Sequence, residues 1–278
     1  MTYDYPHLTV TVLDGVATVL IDNPPINLMT SGLFRSLAKV SVDLSKDDEV
    51  RVVVLRSANP EFFIAHFDVT AILEFPTNGE AVEEPELGGF DRMCEAYRTM
   101  GKVTIAELRG RVGGGGAELS SACDMRFGDL ETFQWNQMEV PLGILPGGGG
   151  TQRIPRLVGI GRAMEVVLGA DDVDAETAER WGFLNRAMSG DSLSAYVDAL
   201  ATRIASFPPA AVREAKRAVN ASVERSLDEG LKYESYLFQV LLRDVDAQPS
   251  MRQYLDAGGQ TRDVELRIGS VMGELFDT

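Results

Sequence analysis

Leu8 to Leu13 (LTVTVL) and Val16 to Ile21 (VATVLI) are short runs rich in β-branched residues, separated only by Asp14-Gly15. An Asp-Gly link between two such runs signals a type I′ turn, so the chain is predicted to open with a β-hairpin. Asn23-Pro24-Pro25 then stops the second strand. Leu33, Leu37, Val40 and Leu44 keep helical spacing behind Thr30, a residue type that caps helices. Arg51 to Arg56 (RVVVLR) is a short apolar run between charges and reads as a buried strand. Asn78 to Gly89 is acidic, contains Gly and Pro, and has no period, which predicts a surface loop. Phe90, Met93, Cys94, Tyr97 and Met100 mark another amphipathic helix, and Thr104 to Leu108 a strand that runs into a glycine cluster.

In the last third only the helical period remains. Leu193, Tyr196, Val197, Leu200 and Ile204 share one face, and Pro208-Pro209 starts the next helix. Leu227 to Leu242, Met251 to Leu255 and Val264 to Leu275 are predicted to be helical as well. The plan is therefore a strand-and-helix α/β body over residues 1–200 and an all-helical region over residues 201–278. No internal repeat, low-complexity block or flexible linker interrupts it.

Charge narrows the partners. Asp and Glu number 42 against 26 Lys and Arg, a formal net charge of −16 over 278 residues. Nucleic-acid and anionic-membrane binding rest on a positive footprint, so neither is expected. Cys94 and Cys123 are too few for a disulfide framework, which fits a reducing compartment. No apolar run approaches the ~18 residues of a membrane span. The opening MTYDYPHLTV lacks the charged-then-apolar order of a signal peptide. A soluble, cytoplasmic protein is the expectation.

Two segments carry candidate chemistry. Gly110-Arg-Val-Gly-Gly-Gly-Gly-Ala-Glu118 follows a strand and enters a helix, leaving free N–H groups at a helix N-terminus where anions are stabilised. It lacks the Lys-Ser/Thr of a P-loop and the spacing of a dinucleotide fingerprint, so a developing oxyanion suits it better than a phosphate. A tight turn for close backbone packing is the alternative. Trp135-Asn-Gln-Met-Glu-Val-Pro-Leu-Gly143 continues into a second glycine run, Gly147 to Gly150, and a predicted helix at Thr151 to Leu157. Glu139 there has apolar neighbours, and partial desolvation would raise its pKa toward the range useful for proton transfer. A surface carboxylate or an ion pair is the alternative. Asp171, Asp172, Asp174 and Glu176 lack the glycine and terminal glutamate of an EF-hand and read as a solvated helix start. His66 has no second histidine nearby, so no metal site is expected. No Gly-x-Ser-x-Gly elbow supports a serine hydrolase.

Taken in order, VATVLIDNPPINLM, VRVVVLRS, FFIAHFDVT, KVTIAELRGRVGGGGAELSSACDMRF, WNQMEVPLGILPGGGGTQRIPRLVGIGRAMEVVL, AETAERWGFLNRAM and FPPAAVREAKRAVN resemble the crotonase (enoyl-CoA hydratase/isomerase) superfamily over nearly the whole chain. The resemblance implies a β-β-α spiral core, a helical C-terminal oligomerisation region, and homotrimers or hexamers built as dimers of trimers. It implies an acyl-CoA thioester as substrate, with no cofactor. Its oxyanion hole falls on the N–H groups of Phe67 and Gly115, and its two catalytic glutamates on Glu118 and Glu139. Glu118, at a helix start whose dipole would favour the ionised form, would activate water for attack at C3. Glu139 would exchange the proton at C2. Ala65, His66, Asp68, Gly114, Met138 and Trp135 fall at positions around the substrate.

This chain departs from the family pattern in several places. His66 stands for a glycine, which strains the loop if that position needs a positive φ. Met138 stands for a proline, and Trp135 for a smaller aromatic. The spacing between the two glutamates is one residue longer, with the insertion placed between Gly128 and Phe133. Thr261 to Thr278 replaces a short tail with a further amphipathic helix. The resemblance implies a 2-enoyl-CoA hydratase first. A Δ3,Δ2-enoyl-CoA isomerase comes next, in which Glu139 alone moves the proton. Other acyl-CoA chemistry of the superfamily, such as thioester hydrolysis or C–C cleavage, and a non-catalytic acyl-CoA binder follow.

Overall fold

The Asp14-Gly15 turn sets the first strand pair. Strands β1 (Leu8–Leu13) and β2 (Val16–Ile21) run antiparallel, with Leu13 opposite Val16 and Leu8 opposite Ile21. The computed structural model describes residues 3–276. Thr30 caps α1 (Ser31–Lys46), its hydroxyl accepting from the Leu33 N–H at 3.3 Å, and Leu33, Leu37, Val40 and Leu44 lie buried along one face. Both elements sit where the pattern of apolar residues puts them.

The chain then winds in repeated turns. The first is β3 (Val52–Ser57), β4 (Phe62–Ile64), a short helix α2 (Val69–Leu73) and α3 (Gly89–Thr99). The second is β5 (Val103–Leu108), β6 (Arg111–Gly113) and α4 (Gly115–Ala122). The third is β7 (Met125–Asp129), β8 (Gln134–Asn136), a 3-10 turn at Val140–Leu142, α5 (Gly150–Val158) and α6 (Ile160–Gly169). It closes with β9 (Val173–Asp174), α7 (Ala175–Trp181) and β10 (Arg186–Met188). The first strand of each turn enters a six-stranded sheet, order β1-β2-β3-β5-β7-β10, and the second a four-stranded sheet, order β4-β6-β8-β9. From β2 to β10 the larger sheet is parallel. This is the β-β-α spiral that the crotonase resemblance implies.

Period two sorts the apolar run of β3. Val53 and Leu55 join the main core, while Val52 and Val54 pack with Leu193, Val197 and Ala201 of α8 (Gly190–Ser206). Both faces are covered, so the strand reads as an unbroken apolar run. Residue 200 lies inside α8, so the expected border between body and tail cuts a helix that belongs to the body. The tail proper comprises α9 (Pro209–Ala221), α10 (Leu227–Leu241), α11 (Ala247–Asp256), α12 (Arg262–Glu265) and α13 (Ile268–Glu274). The single helix expected over Val264 to Leu275 is thus two. Its ladder breaks at Arg267 (φ −130°, ψ 28°), followed by Gly269 and Gly273, both poor helix formers. Of the amphipathic tail expected over Thr261 to Thr278, residues 277–278 lie outside the described residues. Of Gly128 to Phe133, the stretch expected to hold the extra residue, Gly128 and Asp129 end β7, and residues 130–133 form the turn between β7 and β8. Cys94 and Cys123 are free and buried, and no helix among the described residues is long and apolar enough to cross a membrane.

One glycine sets how closely β6 approaches β4 within the four-stranded sheet. Gly110 has φ +62°, and a Cβ on it would overlap the Glu61 carbonyl, whose oxygen accepts from the Arg111 N–H at 2.8 Å. Backbone on both sides leaves nothing free to swing away. Gly110→Ala is expected to destabilise the fold by about 3 kcal/mol or more, from overlap plus left-handed strain. Thermal unfolding checks it, and an unchanged midpoint would show that β6 can slide on β4.

Candidate active site

The loop after β4 carries residues 65–68, and its geometry follows from one bridge. Met29 pairs with Phe67 as in a parallel ladder: the Met29 N–H donates to His66 O at 2.9 Å, and the Asp68 N–H donates to Met29 O at 3.1 Å. Both peptide planes that flank Phe67 are therefore fixed, and its own N–H points away from Met29. Gly115 is the first residue of α4, where an N–H has no partner within the helix. A Cβ placed on Gly115 would lie 3.6 Å from the Phe67 nitrogen, so the two backbone groups stand side by side. Together they can donate to one oxygen.

Glu118 lies in the first turn of α4 and is 4% exposed. Its Oε1 accepts from two N–H groups of the second glycine run, Gly148 at 2.7 Å and Gly150 at 2.9 Å. Oε2 accepts no hydrogen bond from the described residues and is left to face a small ligand or water. Burial holds this carboxyl above the ordinary glutamate range. The Gly150 and Gly148 hydrogen bonds and the Arg153 charge pull against it, and Asp91 adds to it. The downward pull expected from the helix start is thus outweighed, because desolvation exceeds the effect of the backbone donors.

Glu139 approaches from the segment between β8 and the 3-10 turn. Burial first, and then the negative charge of Glu118, push its carboxyl up to about 7. The fully buried Gln137, with its amide nitrogen turned inward, donates to Glu139 Oε2 at 3.0 Å and Oε1 at 3.2 Å. A Cβ on Gly114 would lie 2.8 Å from Glu139 Oε1, so the carboxylate rests on the glycine run itself.

Glu118, Glu139, Phe67 and Gly115 line one cavity of about 300 Å³ with Ile72, Phe75, Phe90, Ile144, Leu145, Gly147 and Gly148. Most of its wall is apolar, and polar groups are confined to the two carboxylates and to backbone. Phe90 was legible only as a helix residue. Its ring stacks on Phe34 and meets Phe67 edge-on at 5.9 Å, with Cζ 3.4 Å from a Cβ placed on Gly115. The donors to Glu118 in the second glycine run, and Gln137, were missed as well. Their only signal was a glycine run ahead of a helix, which does not say what its N–H groups bind.

The remaining expected site residues separate. Ala65 is buried, and its N–H donates to Ile26 O. Gly114 caps α4 with its backbone, donating to Asn136 O at 3.2 Å. His66 is half-buried, its Nδ1 2.8 Å from Phe67 O, and it does not take a positive φ, so the strain expected at this position is not present. Asp68 caps α2, accepting from the Thr70 N–H at 2.9 Å, and does not line the cavity. Met138 is half-buried and also outside the lining. Trp135 is a core residue, not a substrate contact: it is fully buried and stacked on Phe183 at 3.9 Å between ring centroids. Period two explains it, since Trp135 points inward from β8 while its neighbours Gln134 and Asn136 point out. The acidic cluster is a helix start, with Asp174 accepting from the Thr177 N–H and Asp172 gripping Arg111 at 2.7 and 2.8 Å. Among the described residues no group of three or more His, Cys, Asp or Glu is arranged to hold a metal.

The chain matches the enoyl-CoA hydratase/isomerase family over residues 11–261. A short-chain-enoyl-CoA hydratase of Clostridium acetobutylicum is 30% identical over 243 residues, 87% of this chain and 91% of that protein. A Streptomyces avermitilis crystal structure, described as a candidate enoyl-CoA hydratase, is 38% identical with a TM-score of 0.71 over 98% of this chain and 99% of that one. DspI of Pseudomonas aeruginosa is 29% identical with a TM-score of 0.83, over 92% and 97%. The ordered motifs, the spiral of paired strands and the match across most of its length make this chain a member of the enoyl-CoA hydratase/isomerase family.

Proposed function

We propose that this protein is an enoyl-CoA hydratase that adds water syn across the double bond of a 2-enoyl-CoA thioester. The observation that carries the reading is one cavity shared by two carboxylates of unlike surroundings and two adjacent, outward-facing backbone N–H groups. The thioester oxygen would sit between the N–H groups of Phe67 and Gly115, which strengthen their hold as negative charge moves onto it; each such donor contributes about 10²–10³ in rate. Glu118 takes a proton from water as its oxygen bonds to C3. The π electrons pass toward the carbonyl, and Glu139 delivers a proton to C2. A proton returning from Glu118 to Glu139 restores the starting state, so the chemistry balances on groups this chain supplies. The apolar walls from Ile72, Phe75, Phe90, Ile144 and Leu145 suit a hydrocarbon acyl group.

Assembly as a homotrimer, or as a hexamer of two trimers, belongs to the same proposal. Its support is the helical tail, where Leu227, Leu231, Phe238, Val245 and Leu266 are all exposed on the single chain.

A panel of 2-enoyl-CoA and 3-enoyl-CoA thioesters, with products identified by mass, tests the function. Gain of one water on a 2-enoyl substrate is the expected result. Mass-neutral conversion of a 3-enoyl substrate without hydration would replace the reading by an isomerase. Binding without turnover of any thioester would replace it by an acyl-CoA binder.

A further inference from the structure

Glu118 is held by a loop, and the loop is held by one side chain. Arg153, on the first turns of α5, folds back over the turn at Gly148 to Gly150. Its Nη1 donates to Gly148 O at 2.9 Å and its Nη2 to Glu95 Oε1 on α3 at 2.8 Å. Gly149 has φ +98°, and a Cβ there would overlap the guanidinium, so the arginine occupies the space that any other residue would need. Its side chain is only 14% exposed. On the inner side of the same turn, the N–H groups of Gly148 and Gly150 hold Glu118 Oε1. Glu95 is fixed in turn by Arg98 at 2.7 Å, which also reaches Glu224 at 2.6 Å. The planar fork of an arginine can bind a carbonyl and a carboxylate at once in a way that an ammonium cannot.

The geometry points to Arg153 as a positioning residue: it clamps the Gly148–Gly150 turn to α3 from outside, so that two backbone N–H groups fix Glu118 in the cavity. The role rests on the hydratase reading only in what Glu118 does there. Besides Arg153, the charged and titratable groups facing Glu118 are Asp91 and Cys94 on α3 and Glu139 across the cavity, while Glu95 faces Arg153. Arg153 is the cation of the set, and its charge acts on Glu118 as well as its hydrogen bonds.

The test compares Arg153→Met and Arg153→Lys with the full-length wild type. Arg153→Met is expected to lower kcat on the best 2-enoyl-CoA at least 100-fold while KM changes less than threefold. Arg153→Lys is expected to recover part of kcat, because it restores the charge but not the fork. A second readout needs no turnover: carbon-13 NMR titration of carboxyl-labelled glutamates, with Glu118 assigned as the resonance lost in Glu118→Gln. The Glu118 midpoint is expected to move up in Arg153→Met and back toward wild type in Arg153→Lys. A lowered melting temperature with kcat and the Glu118 midpoint both at wild-type values would overturn the proposal and leave Arg153 a structural residue. A shifted midpoint in a protein whose wild type hydrates no thioester would sustain the clamp and refute the hydratase reading instead.

Discussion

Glu118→Gln is expected to lower kcat for hydration by about 10³-fold, inside the 10²–10⁴ that a positioned acid or base contributes, while acyl-CoA affinity and melting temperature stay near wild type. The amide keeps the shape of the carboxyl, and its oxygen can still accept from Gly148 and Gly150, so the turn and its clamp are preserved. What is lost is the basic Oε2 that takes the proton from water. The N–H groups of Phe67 and Gly115 are untouched, which is why binding should survive. The same variant separates two readings of the cavity. An isomerase acting on a 3-enoyl-CoA moves a proton from C2 to C4 through one carboxylate and needs no water, so Glu118→Gln would leave isomerisation of a 3-enoyl-CoA near its wild-type rate. Side-by-side assays of hydration and isomerisation on one preparation decide it. A silent Glu118→Gln in hydration would remove Glu118 from the water-activating role.

The parts of this fold that depend on neighbours in sequence were legible. The hairpin, the Thr30 cap and the helix faces of α1, α3 and α8 follow from local periods and turn chemistry, and each was placed within a residue or two. Glu118 and Glu139 could be named because two glycine runs and their following helices resemble a family, not because their spacing shows that they share a cavity. Distance contacts were the part that could not be read. Trp135 looked like a change in the site because it stands beside site residues in sequence, yet the pleat of β8 turns it into the core against Phe183, nearly fifty residues on. The fit of His66 depended on a backbone angle set by the Met29 bridge, which no local pattern records. Arg153 stayed hidden for the same reason: its partners lie on its own turn and on α3, and only folding brings them to one guanidinium. In the tail, α12 and α13 share a period of apolar residues, and the break between them is a backbone event that periodicity does not see.

Glu139→Gln is expected to abolish more than Glu118→Gln does, because Glu139 handles the proton at C2 in hydration and in isomerisation alike. Both rates should fall by about 10³-fold. Its wild-type pH profile gives the second half of the prediction. Burial and the Glu118 charge raise Glu139 to about 7, so the free enzyme passes through neutrality holding one proton between two carboxylates. That singly protonated pair is the working form, one carboxyl ready to give a proton and the other ready to take one. As pH rises through about 7 the shared proton leaves, and kcat/KM should fall by up to about tenfold per pH unit. Hydration takes up no net proton, so its equilibrium constant is independent of pH and the dehydration direction must show the same alkaline limb. A group with a raised pKa acting as a base alone would give the opposite sign, with activity climbing through the same interval. In Glu139→Gln the limb near 7 should vanish from the residual rate, since the remaining carboxyl no longer feels a second charge across the cavity. Persistence of that limb in Glu139→Gln would assign it to another group, and a 3-enoyl-CoA isomerisation rate untouched by the change would remove Glu139 from the proton's path.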